Sequence, residues 1–405
     1  MNLFLNRYFR LLVVSVFYAL TSLTHVYTQR SIMSLSERAE ISLLVSSPSD
    51  SEFFTMFGHA SLRINDPGLG IDYVFNYGIF DHPSAFINTF YLLKGNLHSE
   101  LYAVTTHEFV EAVHQNGRKL TAYILNLMPD EKEDVWQNLM RDAQTDQRYY
   151  TYDIFKKNCV TLPRNLLENN VQTIVYQQEE ESRYYTFRIL GNQYLEHYPW
   201  VNFATDIFFG VGVDVVLNER DADFLPDRLA QAFVKASIVD QMGDKRPLVI
   251  KEDVLLEEVK SQSSKTLITP ALVSYILLFL VVLLSVGELV KKKYFRWFDS
   301  LLFGVVGLIG MVLFLTNTVF AQWYTCPNWM LIWLHPLHLV AAILILFHRF
   351  DQIIYYYHVA NAVVITFMLV LIFFLPQHFI SFFSLIACLW IRSVIGIYKF
   401  KVQIS

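Results

Sequence analysis

The last third of the chain limits the fold most. Five apolar runs follow one another at about 267–290, 300–320, 329–347, 356–375 and 379–398, with short gaps between them. Each is close to the roughly 20 residues a helix needs to cross a hydrocarbon core. Consecutive helices that are apolar all round have no polar face to show water, which argues against a soluble helical core. Residues 267–405 hold 8 Lys and Arg against 3 Asp and Glu, whereas residues 1–266 hold 24 and 34. The two parts are built for different solvents. The expectation is an all-α transmembrane domain of five helices over 267–405. With a net charge of −5 and no concentrated basic stretch, the chain is neither a disordered protein nor a nucleic-acid binder.

Charge placement orients the tail. Lys291 to Arg296 follow the first run, Arg349 the third, and Lys399 and Lys401 the fifth. The other two loops carry no Lys or Arg, so the basic loops and the C-terminus are expected in the cytoplasm. Trp297, Trp323, Tyr324, Trp329 and Tyr355–Tyr357 sit at run ends, where interfacial aromatics belong. Residues 1–29 read as a signal peptide or N-terminal anchor, with Arg7 and Arg10 before Leu11–Leu23. Residues 30–240 then form an exported domain, and the polar segment 241–266 suits a tether. For a bacterium the domain lies in the periplasm, on the inner membrane.

Within that domain, Ile41–Ser46 reads as a strand. Ala60–Asn65 and Tyr73–Tyr77 read as a hairpin around NDPGLGID, and Thr121–Leu127 as a further strand. Asp130–Ala143 is helical, with Pro129 ahead of it and acids in its first turn. A second helix begins near Asn158, where Pro163 fits only the first turn or so, so Cys159 lies near its N-terminus. The mixed order predicts an α+β class.

Cys159 is the one cysteine of the exported domain; Cys326 falls in an external loop and Cys388 in the fifth run. A lone exported cysteine is a buried filler, a partner for Cys326 or a reactive thiol. A helix N-terminus with Lys156 and Lys157 alongside would favour its thiolate. A thiolate nucleophile needs a base. Among seven histidines outside the tail, His59 stands out in MFGHASLRI, at a strand start beside small residues. In the tail, His335 and His338 are three apart in WLHPLHL, His335 about 9 Å into its run. Intramembrane histidines point to headgroup binding, proton transfer or interhelical hydrogen bonds. A metal is disfavoured, with two ligands and no acid nearby. Asn328 and Trp329, at the external mouth, are candidates to hold a headgroup.

FGHASLRI, then YVFNYGIF, then RYYTYDIFKKNCVTLPRNLLE resemble the Lnb-type N-terminal periplasmic domain, and PNWMLIWLHPLHL resembles that family's tail. More distantly, His on an early strand and NC opening a later helix are similar to the permuted, NlpC-type papain-like fold, including lecithin:retinol acyltransferase. The resemblance implies a papain-like catalytic domain and a lipoprotein N-acyltransferase. Such an enzyme moves a fatty acyl chain, through a Cys thioester, to the α-amino group of a bacterial lipoprotein's lipid-modified N-terminal Cys. Its partners would be diacylated lipoproteins and membrane phospholipid, and no cofactor is implied. Carried over by position, Cys159 matches the nucleophile and His59 the base. The orienting residue would be Asn76, or failing that Asp72. Asn158 and Tyr77 are further candidates at the substrate, although Asn158 is more simply a helix cap. The retinol-type enzymes' EHF is replaced here by VTLPR, which leaves the acyl donor open. A membrane-anchored Cys/His hydrolase (peptidase, amidase or thioesterase) is the alternative, and a non-enzymatic envelope sensor or scaffold the third. A five-span tail favours acyl transfer over hydrolysis of a soluble substrate.

Overall fold

The computed structural model describes residues 32–50, 53–177, 184–259, 267–372, 374 and 379–404. The proposed signal peptide or anchor at 1–29 lies outside the described residues.

A seven-stranded antiparallel sheet organises the exported domain, in the order β10-β5-β1-β2-β3-β4-β6. Its strands are β1 Glu40–Ser46, β2 His59–Asp66, β3 Ile71–Phe80, β4 His98–Thr105, β5 Leu120–Leu125, β6 Tyr149–Thr151 and β10 Val249–Leu256. A small sheet joins β7 Thr173–Val175, β8 Ser237–Val239 and β9 Lys245–Pro247. The helices are α1 Ala85–Lys94, α2 Thr106–Gln115, α3 Pro129–Gln144, α4 Thr161–Asn170, α5 Phe187–Tyr194, α6 Pro199–Phe208, α7 Glu219–Ala222 and α8 Pro226–Lys235. The expected β1, the β2–β3 hairpin, β5 and α3 are all present, with Leu62 opposite Phe75 across the hairpin.

Alternation along the strands fills two layers. Ile41, Leu43, Leu62, Ile64 and Phe75 face α3 (Val135, Trp136, Leu139) and α8 (Leu229, Phe233). On the opposite face Leu44, Val74, Leu120 and Ala122 meet Val113 of α2. β1 is therefore buried on both sides, which explains its unbroken ISLLV.

The tether expected over 241–266 is not one in its described part. β9 and β10 occupy it, and β10 pairs with β5, Glu252 opposite Tyr123. Its charged residues are those of an exposed edge strand, which stays soluble by carrying charge.

Among the described residues of the tail, four helices are long and apolar enough to cross a membrane: α9 Pro270–Lys291, α10 Arg296–Thr318, α12 Asp351–Leu371 and α13 Phe383–Ile404. The third run, read as one of five spans, is interrupted. It forms a 3₁₀ turn over Trp329–Ile332 and an eight-residue helix, α11 Leu337–Leu344. Pro336 breaks it, having no N–H to donate and disfavouring helical backbone at His335. Polar side chains tie these helices together inside. Arg392, fully buried on α13, donates to Asp299 at 2.5 Å, Glu288 at 2.7 Å and Ser285 at 3.0 Å. An arginine in such a setting persists only because each acid is paired. Arg296 pairs with Asp351 at 2.6 Å, and Lys399 donates to the Glu288 carbonyl, so these basic groups lie with the ends of α9, α10 and α12.

The opposite end of the tail docks on the exported domain. The Gly210 N–H donates to the Tyr324 carbonyl and the Val211 N–H to that of Pro327, each at 2.9 Å. The backbones run so close that a Cβ on Gly212 would stand 1.9 Å from the Trp323 oxygen, and one on Gly210 2.4 Å from that of Pro327. Only glycine fits there. Trp200 also donates to the Ile268 carbonyl at 2.7 Å, and Phe203 lies 4.9 Å from Phe382, ring to ring. Gly212→Val should therefore cost about 1–3 kcal/mol of stability by forcing the seam apart. Limited proteolysis in detergent micelles should cut the 209–214 segment in the variant and spare it in the parent; equal resistance would contradict the seam.

Candidate active site

The local sequence places Cys159 through a chain of short-range bonds. Asp153 and Lys157 close a tight turn with reciprocal backbone bonds of 3.1 and 3.0 Å. The Asp153 carboxylate caps the N–H groups of Phe155 and Lys156. Asn158 then accepts from the N–H groups of Val160 at 2.9 Å and Thr161 at 2.8 Å, and its amide donates to the carbonyls of Ile154 and Phe224. All of its polar atoms are taken, so Asn158 is the cap of α4 and not a substrate ligand. Cys159 lies in the turn just ahead of α4, which begins at Thr161.

His59 opens β2, and Asn76 faces it from β3. His59 Nε2 lies 3.2 Å from Asn76 Oδ1, which also accepts from the Ser61 hydroxyl at 2.7 Å. An oxygen has no proton to give, so Nε2 carries the hydrogen and Nδ1 keeps the ring's lone pair. Gly78 ends the NYG triplet with φ of +95°, a conformation glycine adopts without strain, at an irregularity between Tyr77 and Ile79 in the β3–β4 pairing. That turn brings the strand to the thiol: a Cβ on Gly78 would lie 3.7 Å from Cys159 Cβ.

Cys159, His59 and Gly78 line one cleft of about 310 Å³, with Tyr77, His82, Asn88, Arg118 and Tyr152. On its other side the thiol borders a narrow apolar cavity walled by Phe54, Phe57, Phe155, Phe187, Phe209 and Phe224. The aromatic-rich segments of the exported domain thus converge beside the sulfur. This inner cavity holds about 40 Å³, space for a water molecule or so. A wider cleft of about 580 Å³ shares Asn192 with it and opens where α5 and α6 meet the start of α9.

The electrostatics differ from the sequence expectation. Burial pushes the Cys159 thiol above its ordinary pKa. Backbone N–H groups of Ala60 and of Cys159 itself, the Arg118 charge and the Tyr152 hydroxyl pull the other way without prevailing. Lys156 and Lys157 do not help, because their amines sit over the rings of Trp323 and Tyr150 at 3.8 and 5.3 Å. Burial and the Arg118 charge lower His59 to about 4, against the opposing bond to Asn76, so at neutral pH the imidazole is an unprotonated base. Arg118 and Tyr152 are the residues the sequence reading missed. Arg118 is buried, donates to the Ser47 carbonyl at 2.6 Å, and is itself lowered to about 10 by burial. Nothing in HQNGRKL marks it, since its partner lies just past the end of β1, far back along the chain.

The remaining candidates fall elsewhere. Asp72 is bound to Arg63 at 2.7 and 2.9 Å and to Thr106 at 2.5 Å, four residues back along β3 from Asn76. It anchors β3 to β2 and α2, and does not orient His59. Tyr77 lines the cleft, with its body in the core beside Tyr150. Asn328 is buried and spends its amide on the Ile207 and Phe208 carbonyls and its oxygen on Met330 N–H, so it clamps the seam and holds no headgroup. Trp329 beside it is exposed. His335 and His338 stack 3.8 Å apart. His338 is fully buried, contacting the Tyr357 hydroxyl and, at 2.9 Å, the Trp333 carbonyl, while His335 meets Asn361 at 3.4 Å. These are interhelical bonds rather than a substrate site. Cys159, Cys326 and Cys388 are all free thiols, so the Cys159–Cys326 disulfide does not form. Among the described residues no group of His, Cys, Asp or Glu is arranged to hold a metal.

Comparison with known families agrees with this architecture. The model of the Lnb N-terminal periplasmic domain matches residues 33–193, and that of the Lnb transmembrane domain matches residues 261–403. The chain belongs to the Lnb family. It is accordingly a membrane protein whose N-terminal domain is periplasmic, joined to a tail of apolar helices. No curated protein and no solved structure is similar enough to match.

The raised thiol gives a testable pH dependence. A thiol whose pKa lies above its usual value of about 8.5 is mostly protonated at neutrality, so alkylation of Cys159 by iodoacetamide should keep rising beyond about pH 8.5. Arg118→Met removes a positive charge that favours the thiolate. Its thiol pKa should rise further, and alkylation at about pH 7.5 should slow several-fold. A rate already at its plateau near pH 6 would contradict the account.

Proposed function

We propose that the protein is a lipoprotein N-acyltransferase working through a thioester on Cys159. The observation that carries the reading is the position of the thiol. It stands between a polar cleft lined by His59 and Arg118, with the buried Asn76 bonded to His59, and an aromatic cavity built against the membrane tail. A soluble substrate needs no apolar compartment beside the nucleophile; a fatty acyl chain does. The domain's fold in this reading is papain-like and permuted, supported by the order His on β2, Asn on β3 and Cys ahead of α4.

The chemistry divides into two transfers. In the first, His59 Nδ1 takes the thiol proton as Sγ attacks the ester carbonyl of a membrane lipid. The alkoxide leaves with the proton returned by the imidazolium, and the acyl group remains on sulfur. In the second, the α-amino group of the lipoprotein's N-terminal Cys attacks the thioester. His59 takes the ammonium proton, the amide forms, and the thiolate leaves and is reprotonated. The N–H groups of Val160 and Thr161 already serve Asn158, so the oxyanion is left to the Cys159 N–H, helped by the Arg118 charge and the Tyr152 hydroxyl. The acyl chain would enter the inner cavity by displacing the phenylalanine rings that fill it. Asn76 keeps Nε2 protonated and Nδ1 available as the base. The basic residues at the end of the tail away from the exported domain support a multi-pass protein of the bacterial inner membrane with a cytoplasmic C-terminus.

Incubation of the purified protein with phospholipid and a diacylated lipopeptide should yield the N-acylated peptide. Cys159→Ala should abolish it, and His59→Ala should lower it by about 10²–10⁴-fold while leaving the fold intact. Fatty acid or a cleaved peptide, with no N-acyl product, would replace this reading by that of a Cys/His hydrolase.

A further inference from the structure

We propose that α1 is a lipid-docking helix. Its apolar face would lie in the outer surface of the bilayer and hold the mouth of the polar cleft at headgroup level. Phe86, Ile87 and Phe90 lie on one side of this ten-residue helix and are 83%, 39% and 53% exposed. Large apolar side chains at i, i+1 and i+4 form a stripe, and such a stripe left in water marks an interaction surface.

The position of α1 identifies what covers it. The helix packs against the first external loop of the membrane tail. The Tyr324 hydroxyl donates to the Leu92 carbonyl at 2.7 Å. Lys94 lies 6.0 Å from the ring of Phe320, two residues past the end of α10. Beside them are Tyr91 and Trp323, with a lysine amine at the helix end. Aromatics and a cation at the end of a spanning helix form the environment of lipid headgroups. A short helix there with an outward apolar face fits the pattern of an interfacial helix rather than a protein contact.

The opposite side of α1 belongs to the cleft. Asn88 is 3% exposed and lines the same cleft as Cys159 and His59. Its amide donates to the His82 carbonyl at 2.9 Å, but its oxygen has no hydrogen-bond partner among the described residues. A buried acceptor left open in a cleft is suited to a donor brought by a substrate, such as an amine. One helix thus presents an acceptor inward and an apolar stripe outward. A lipid-anchored amine could reach the thiol without leaving the membrane surface. The membrane contact stands on its own; the delivery of an amine to Cys159 rests on the acyl-transfer reading.

The test uses the full-length protein in nanodiscs of phosphatidylethanolamine and phosphatidylglycerol. Phe86 or Phe90 is replaced by the photoreactive p-benzoylphenylalanine, with Phe279 of α9 as the reference position. Irradiation should add the mass of one phospholipid at position 86 or 90, as at 279. Adducts at 279 alone, or a doubled chain mass showing a second copy over α1, would overturn the proposal. A Phe86→Asp/Phe90→Asp variant should lose at least about tenfold in turnover of vesicle-embedded lipopeptide, while alkylation of Cys159 changes by less than about twofold. Unchanged turnover would overturn the delivery role. Because cross-linking to lipid does not require acyl transfer, a protein that cross-links but never acylates would sink the enzymatic reading and leave the membrane contact standing.

Discussion

The seam between the exported domain and the tail holds the rest of the structure in place. Two backbone hydrogen bonds join Gly210 and Val211 to Tyr324 and Pro327, at a spacing that tolerates no side chain on Gly210 or Gly212. The same loop reaches the turn that presents the thiol. The Trp323 indole donates to Asp153 at 2.6 Å, and Asp153 organises the turn that presents Cys159. Phe155 and Phe187, which wall the inner cavity, meet Trp323 edge to face at 5.5 Å. The position of the sulfur is therefore set partly by a membrane loop. This domain is no independent module on a tether, and β9 and β10 occupy much of the described part of the segment where a tether was expected.

Burial and charge oppose each other at the site, and burial prevails. Enclosure keeps the Cys159 thiol protonated and the His59 imidazole neutral, so the resting pair is uncharged. A neutral pair beside an apolar cavity has little to lose in desolvation when a lipid chain enters. The buried Arg118 charge favours the thiolate and disfavours the imidazolium, so it eases the first half of a proton transfer and resists the second. Such opposition keeps the ion pair from persisting between turnovers.

Much of this was legible in the sequence where local rules dominate. The unbroken apolar run of β1, the turn formers between β2 and β3, the proline and acids at the start of α3 and the Asn158 cap each rest on neighbours a few residues away. His59, Asn76 and Cys159 were legible from their motifs, and the structure brings His59 and Cys159 to one cleft, with the buried Asn76 bonded to His59. Features fixed by distant partners were not. Arg118 acts through Ser47 and a cysteine far along the chain, and β10 is a strand only because β5 offers it an edge. The third apolar run was long enough to span, yet Pro336 interrupts it. Asp72 shared a strand face with Asn76, but Arg63 and Thr106 claim it first. His335 and His338 stand out in the sequence for their depth, whereas their partners Asn361 and Tyr357 come from α12.

The central claim is that Cys159 carries the acyl group, and peptide mass spectrometry tests it most directly. The protein is incubated with phospholipid in the absence of any amine acceptor, digested, and treated with hydroxylamine, which cleaves thioesters. The account predicts one fatty acyl mass on the peptide containing Cys159, removed by hydroxylamine. Fatty acid released from the phospholipid while Cys159 stays unmodified, or an acyl group on any other residue, would contradict it.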